Sequence, residues 1–209
     1  MTGIQRVAKE NIFSGLNNLL VCTAESNAYA DCFGFTELET QALLKEYGLN
    51  LKEPVRAMYD GYRFGGIELY NLWSILNYAN SRQLAPYWVN TSSNQLIHER
   101  LDLATPAFKS KFDQLIIDGE ISTTVDLQTG TYDGGGDGAL WGLFVNAGYL
   151  TFAGAPGNPT EPRRLRIPNG EVREEFKEIV ARHMGVHRSR KDLNIAKMCN
   201  EKGVPSCLM

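Results

Sequence analysis

Residues 55–79, VRAMYDGYRFGGIELYNLWSILNYA, constrain the fold most strongly, because glycine breaks interrupt a stretch that is rich in aromatic side chains. The spacing predicts a short helix that ends at Gly61, a turn at Gly65-Gly66 and a second helix that begins at Asn71. The aromatic residues of the stretch are Tyr59, Tyr62, Phe64, Tyr70, Trp73 and Tyr78. The pattern therefore predicts a loop held between two aromatic-rich helices.

Asp60 and Arg63 place opposite charges in this predicted loop. Charged loop residues on a rigid scaffold often carry function, which makes both side chains candidates for a site. A direct ion pair that ties the two helices together is the simpler interpretation, and the residues alone favour it.

The composition excludes several classes of protein. A hydrophobic fraction of 43% and a charged fraction of 22% over 209 residues are typical of one large or two small globular domains. The net charge of −3 gives no basic field that would attract nucleic acid or an anionic membrane. Since no apolar run reaches the roughly 20 residues of a membrane span and no secretory signal is visible, we expect a cytoplasmic protein. The cysteine and histidine spacings predict no metal site.

Helix signals dominate the first half of the chain. Thr36 and Glu39 form a T-x-x-E capping box at the start of a helix predicted over residues 35–48. Pro54 suits the first turn of the next helix, and Asn71 is a good N-cap.

Three hydroxyl residues precede a further helix predicted over residues 94–103. Thr91, Ser92 and Ser93 are candidates for an anion-binding helix start, because free N–H groups point that way. Plain N-capping of the helix is the favoured interpretation.

The second half predicts small strands among helices. A helix over residues 108–117 is followed by a strand over 121–127, a helix over 139–147, a hairpin of 149–152 with 164–167, and a final helix capped by Asn169. This order is typical of a winged helix. The helix over 139–147 has no Arg, Lys or Gln to reach bases, so we expect it to pack inside the protein.

The hairpin carries three arginines, Arg163, Arg164 and Arg166. They are candidates for phosphate contacts, although a solvated face is the favoured interpretation. From residue 182 onward the pattern becomes basic and weakly periodic, which predicts a short helix or an irregular tail.

Six blocks together resemble a known family: TGIQRVAKENIFSGLNNL, FGFTELETQALL, YDGYRFGGIELYNLWSILNY, PYWVNTSSN, LWGLFVNAGYLTF and RIPNGEVREEFKEIV. They resemble consecutive segments of the AAA-ATPase-like family, P-loop ATPases of archaeal and STAND-like type that are commonly fused to a PD-(D/E)XK nuclease-like domain. The resemblance covers residues 2–180 in the same order.

The resemblance implies a mainly α fold with small β elements, in which the helical lid of a P-loop ATPase precedes a winged-helix-like α+β segment. It implies a remnant of the ATPase core near sensor 1 at residues 1–24 and a lid at 25–104. The winged-helix-like segment then covers 105–181, and an irregular basic tail covers 182–209.

The resemblance also implies roles for single residues. Thr2, Arg6 and Lys9 would lie near nucleotide at the edge of the ATPase core. Arg63 would be a lid arginine of the sensor-2 kind that neutralises charge on a transferring phosphoryl group, and Asp60 would orient it.

The sequence also departs from the family. It contains no G-x-x-x-x-G-K-[ST] motif, no acidic Walker-B strand before Thr2 and no D…(D/E)-x-K arrangement of a nuclease. We therefore expect part of a longer protein without independent catalysis, which uses ATP and Mg²⁺ only when a partner supplies the P-loop half. The alternative is an interaction module that binds a protein or nucleic acid without ATP.

Overall fold

A computed structural model describes residues 22–88, 95–127, 136–154 and 161–184. In these ranges the chain is a mixed α/β protein with seven α-helices and two small antiparallel sheets. None of the helices in these ranges combines the length and apolar character needed to cross a bilayer. The predicted core remnant at 1–24 and the predicted basic tail at 182–209 lie largely outside the described residues.

Three helices form the first part of the described fold: α1 (Glu37–Glu46), α2 (Glu53–Tyr59) and α3 (Leu72–Ser81). The capping box is confirmed, since the Glu39 N–H donates to Thr36 and the Thr36 N–H donates to the Glu39 carboxylate. The cap at Asn71 is also confirmed, because its Oδ1 accepts the Ser74 N–H at 3.1 Å. Local hydrogen bonds therefore fix where these helices begin.

A β-hairpin stands where the sequence predicted a loop. Strands β1 (Tyr62–Phe64) and β2 (Ile67–Leu69) pair antiparallel around Gly65-Gly66. The predicted turn is confirmed, but Arg63 lies in a strand, directly across from Glu68. The prediction of a loop at Arg63 is therefore wrong.

The remaining elements are α4 (Gln95–Asp102), α5 (Pro106–Asp118), β3 (Glu120–Thr123), α6 (Asp137–Asn146), β4 (Thr151–Phe152), β5 (Arg163–Arg166) and α7 (Gly170–Met184). The three strands form one antiparallel sheet in the order β3-β5-β4. The predicted order of helix, strand, helix, hairpin and helix is confirmed. The predicted cap of the last helix is confirmed as well, since Asn169 Oδ1 accepts the Val172 N–H at 3.1 Å.

Helix α6 lies at the centre of the larger core. Its residues from Ala139 to Val145 are all buried. The Trp141 ring stacks on Phe108 with ring centroids 4.1 Å apart, and Phe144 packs against Phe176 of α7. The expectation that this helix packs inside the protein is confirmed.

The buried residues form two apolar clusters. The smaller one lies among α1, α2 and α3 and contains Leu44, Val55, Tyr59, Tyr70, Ile75 and Ala79. The larger one surrounds α6, and it also includes Tyr62 and Leu69 of the hairpin. Because Tyr70 follows Leu69 directly, the end of the hairpin is one place where the chain passes from one cluster to the other.

Candidate functional site: the Arg63 cavity

A cavity of about 500 Å³, which we call the Arg63 cavity, lies between the hairpin, the start of α3 and the segment from α6 to β4. Its wall includes Arg63, Phe64, Leu69, Trp88, Leu143 and Tyr149. Phe33, Leu72 and Trp73 also line it and are 51%, 44% and 50% exposed, so they form its open side. A concave, mostly apolar site of this size is typical of ligand pockets.

Backbone contacts hold Arg63 at the cavity. Its N–H donates to Thr151 Oγ1 at 2.8 Å, which joins β1 to β4. The N–H of Gly65 donates to the carbonyl of Ala24 at 2.8 Å, which fixes the turn of the hairpin. The strand that carries Arg63 is therefore anchored at its middle residue and at the turn that follows it.

Among the described residues, no anion lies beside the guanidinium of Arg63. Its Nε atom is buried and has no hydrogen-bond partner, and the side chain forms no ion pair with any described residue. Glu68 lies across the hairpin, but its carboxylate lies 4.0 Å from Arg166. Because Arg63 lines the cavity and no described carboxylate neutralises its charge, this arrangement favours an incoming anion.

Asp60 does not form the expected ion pair with Arg63. Its carboxylate instead accepts the N–H of Gly61 at 2.7 Å, at the C-terminal end of α2. Burial raises the pKa of Asp60, and the hydrogen bond from Gly61 opposes that rise. A direct orienting contact from Asp60 to Arg63 is therefore absent among the described residues.

Gly61, which follows α2, occupies a position where no side chain fits. Its φ is +108°, and a Cβ here would overlap the carbonyl oxygen of Pro168. The Gly61 carbonyl also accepts a hydrogen bond from Arg166 Nη2 at 3.0 Å. Gly61 thus packs the residues after α2 against the connection from β5 to α7.

The three hairpin arginines do not form one exposed patch. Arg163 is buried, pairs with Glu25 and lies 4.8 Å from the centroid of the Phe152 ring. Arg164 is exposed and pairs with Glu120 at 3.1 Å. The expectation of a solvated face fits Arg164 and is wrong for Arg163, because alternate residues of a strand point to opposite faces.

Arg166 is occupied by the backbone. Its Nη1 donates to the carbonyl of Pro168 at 3.2 Å, and its Nη2 donates to Gly61. Together with the ion pairs of Arg163 and Arg164, this contact leaves no open set of three guanidinium groups for a phosphate.

Glu171 is a buried charged group that sequence reasoning missed. Its carboxylate accepts the Ser74 hydroxyl at 2.8 Å and the Trp88 N–H at 2.6 Å. Burial raises its pKa, and these hydrogen bonds oppose the rise. The cap at Asn169 places Glu171 in the first turn of α7, but no sequence signal indicates its burial. The contact holds Trp88 at the wall of the cavity, where its ring lies 5.5 Å from that of Tyr149.

The other predicted site residues cannot be placed in this geometry. Thr2, Arg6 and Lys9 lie outside the described residues, and so do Thr91, Ser92 and Ser93. Within the described ranges, no group of three or more His, Cys, Asp or Glu residues is arranged to hold a metal ion.

The fold and the cavity together define a mixed α/β protein with an apolar pocket and an arginine in its wall. The chain is similar to a curated protein of Azotobacter chroococcum mcd 1, the "Uncharacterized protein in vnfD 5'region". The two are 31% identical over 183 residues, which cover 85% of this chain and 33% of the relative. The chain thus spans about a third of that relative's length. No family model and no solved structure matches the chain.

Proposed function

We propose that the chain is the lid and winged-helix-like part of an AAA-ATPase-like protein of the cytoplasm. In this proposal Arg63 contributes a positive charge to a site for ATP and Mg²⁺ that a P-loop half completes from another segment or another chain. The observation that carries the proposal is that Arg63 lines the cavity and forms no ion pair with any described residue. The chain alone is not expected to hydrolyse ATP.

The physical argument rests on charge and position. A guanidinium stays protonated at any physiological pH, and its planar donors suit phosphate oxygens. In phosphoryl transfer, such a group stabilises the charge that spreads over the transferring phosphoryl. The hydrogen bonds of Arg63 and Gly65 hold the strand before any ligand binds, which reduces the ordering cost of binding.

The arrangement of elements supports the proposed subdivision. From α5 to β5 the order is helix, strand, helix and hairpin, and the first strand pairs with the last, as in winged helices. We assign residues 105–181 to this segment, 25–104 to the lid and 1–24 to the edge of the ATPase core. The burial of α6 argues against base reading, since a recognition helix must expose one face.

Nucleotide binding in the presence and absence of a second half tests the proposal. The parts of the Azotobacter relative outside the 183-residue match serve as the added half, and a fluorescent ATP analogue with Mg²⁺ serves as the ligand. We expect binding only in the mixture, and Arg63→Gln should weaken it at least about tenfold, or ~1.4 kcal/mol.

Arg164→Gln is the matched control, because Arg164 is an exposed arginine whose partner is Glu120. It should bind nucleotide like the wild type. Micromolar binding of ATP by the wild-type chain alone, or equal binding by Arg63→Gln and wild type in the mixture, would contradict the proposal.

The second candidate is an interaction module that docks a protein without ATP. The exposed Phe33, Leu72 and Trp73 at the open side of the cavity favour it. Complex formation with the added half in the complete absence of nucleotide, unchanged in Arg63→Gln, would support this candidate over the first. The engagement of Arg163 and Arg166 within the chain makes a nucleic acid the less favoured partner.

A further inference from the structure

We infer that the Arg63 cavity binds a small amphipathic anion, a single carboxylate carried on a flat apolar body, without any second half. The inference goes beyond the proposed function, because it concerns a ligand that this chain holds alone. Arg63 would serve both ligands, so the two would compete for one guanidinium.

The size and lining of the cavity define the body of the ligand. A volume of about 500 Å³ lies within the range of roughly 300–1,000 Å³ for small-molecule sites. Buried apolar side chains such as Leu69 and Leu143 form much of the wall. Apolar surface of this kind favours a ligand that buries hydrocarbon.

Aromatic pairs in the wall favour a flat shape. The rings of Phe33 and Phe64 are stacked with centroids 5.7 Å apart, and Trp88 meets Tyr149 at 5.5 Å. All four rings line the cavity, and the Phe33 ring lies at its open side. A planar ring system can pack against such faces and edges, whereas a branched sugar or peptide would leave gaps.

The charges of the wall define the head of the ligand. Arg63 is the one charged side chain among the described residues that line the cavity. The two asparagine side chains already have local contacts: Asn71 Oδ1 caps α3, and Asn146 Nδ2 donates to the carbonyl of Leu127 at 3.4 Å.

One unpaired cation matches one negative charge. A carboxylate would pair with the guanidinium of Arg63, which forms no ion pair with any described residue. A triphosphate would bring several charges into an apolar wall that offers a single cation, and each unpaired charge would carry a desolvation cost. The cavity therefore suits a monoanion better than a free nucleotide.

A pair of ligands that differ only in charge tests the inference. We propose 2-naphthoate and its neutral analogue 2-naphthamide, titrated into the full chain by calorimetry and by tryptophan fluorescence, since Trp73 and Trp88 line the cavity. The wild type should bind naphthoate at least about tenfold more tightly than naphthamide. Arg63→Gln should bind naphthoate and naphthamide with about equal affinity, and its affinity for naphthamide should match that of the wild type.

Arg164→Gln again serves as the matched control and should keep the preference for naphthoate. Circular dichroism melts of all three proteins establish that each is folded. Absence of naphthoate binding by folded wild type, a preference retained in Arg63→Gln, or a preference lost in Arg164→Gln would each overturn the inference. The assay contains no nucleotide and no second half, so its result does not depend on the proposed function.

Discussion

At the scale of single residues, Glu171 combines burial with charge. Its carboxylate has two hydrogen-bond donors, Ser74 and Trp88, but no ion-pair partner among the described residues. Burial penalises the charged form, and this penalty outweighs the stabilisation from the donors, so the pKa of Glu171 is raised. Glu171 therefore links α3, Trp88 and α7, and its raised pKa makes the stability of the protein depend on pH.

The raised pKa predicts a loss of stability as the pH rises. The folded protein holds the Glu171 proton more tightly than the unfolded chain, in which the pKa of a glutamate is about 4.3. This contribution is fully present below that value and is lost as the pH rises through the folded pKa. We expect the free energy of unfolding by urea to fall less steeply in Glu171→Gln than in the wild type over this window.

Glu174→Gln is the matched control, since Glu174 is exposed on the same helix and pairs with Lys177. Its pH profile should run parallel to that of the wild type. Asp60 also has a pKa raised by burial and contributes with the same sign, but it is present in all three proteins. Parallel curves for wild type and Glu171→Gln would contradict the prediction.

At the scale of elements, helix α6 depends on one position without a side chain. The backbone that follows β3 lies against α6, where the Asp126 N–H donates to the carbonyl of Gly138 at 2.9 Å. A Cβ at Gly142 would overlap the carbonyl oxygen of Asp126. This close approach also explains why β3 ends at Thr123 although the sequence predicted a strand to Leu127.

Two glycines of α6 give a matched pair of substitutions. Gly142→Ala should destabilise the protein by about 1–3 kcal/mol, because the methyl group overpacks against backbone. A Cβ at Gly138 would lie 3.6 Å from its nearest atom, the Thr124 carbonyl oxygen, which is an ordinary contact. Gly138→Ala should therefore leave the stability of the protein unchanged or raise it by up to ~1 kcal/mol through helix propensity. Urea unfolding measures both, and equal effects of the two substitutions would refute the close packing at Gly142.

Local signals in the sequence predicted the ends of helices far better than the hairpin. Thr36, Asn71 and Asn169 cap helices through bonds to residues three positions away, so their pattern is visible in the sequence. Strands β1 and β2 have three residues each, and one of their supports is Thr151. Gly65-Gly66 between apolar residues is the local signal for a hairpin. The contact of β1 with Thr151 comes from a distant part of the chain, so the sequence does not reveal it.

At the scale of the whole molecule, the two apolar clusters are joined by covalent and polar links. The hairpin passes from one cluster to the other at Leu69 and Tyr70, and Glu171 bonds to Ser74 across the same boundary. Helix α2 also packs beside α7. These links should make the described ranges unfold as one unit.

We therefore expect one cooperative transition. Far-UV circular dichroism reports all helices, whereas tryptophan fluorescence is dominated by Trp73, Trp88 and Trp141, of which Trp141 lies in the larger cluster. Urea curves from the two probes should coincide. Separate midpoints would show that the clusters unfold independently.

The candidate site was only partly predictable. Arg63 was identified from its charge and its block, but its lack of a partner depends on where Asp60 and Glu68 point in three dimensions. The cavity wall could not be derived, because Leu143 and Tyr149 come from a segment far along the chain. The sequence thus indicated the charge of Arg63, whereas the residues around that charge are determined by tertiary packing.

The hydrogen bond between Arg63 and Thr151 has a consequence for synthesis on the ribosome. The two residues lie 88 positions apart, so the hairpin leaves the ribosome well before its support does. Until β4 follows, the apolar side chains of β1 and β2 lack one wall of their core, and an isolated two-stranded hairpin is marginally stable in water. We therefore expect Arg63 and its aromatic neighbours to stay exposed in the nascent chain until β4 emerges, so that the cavity forms late in translation.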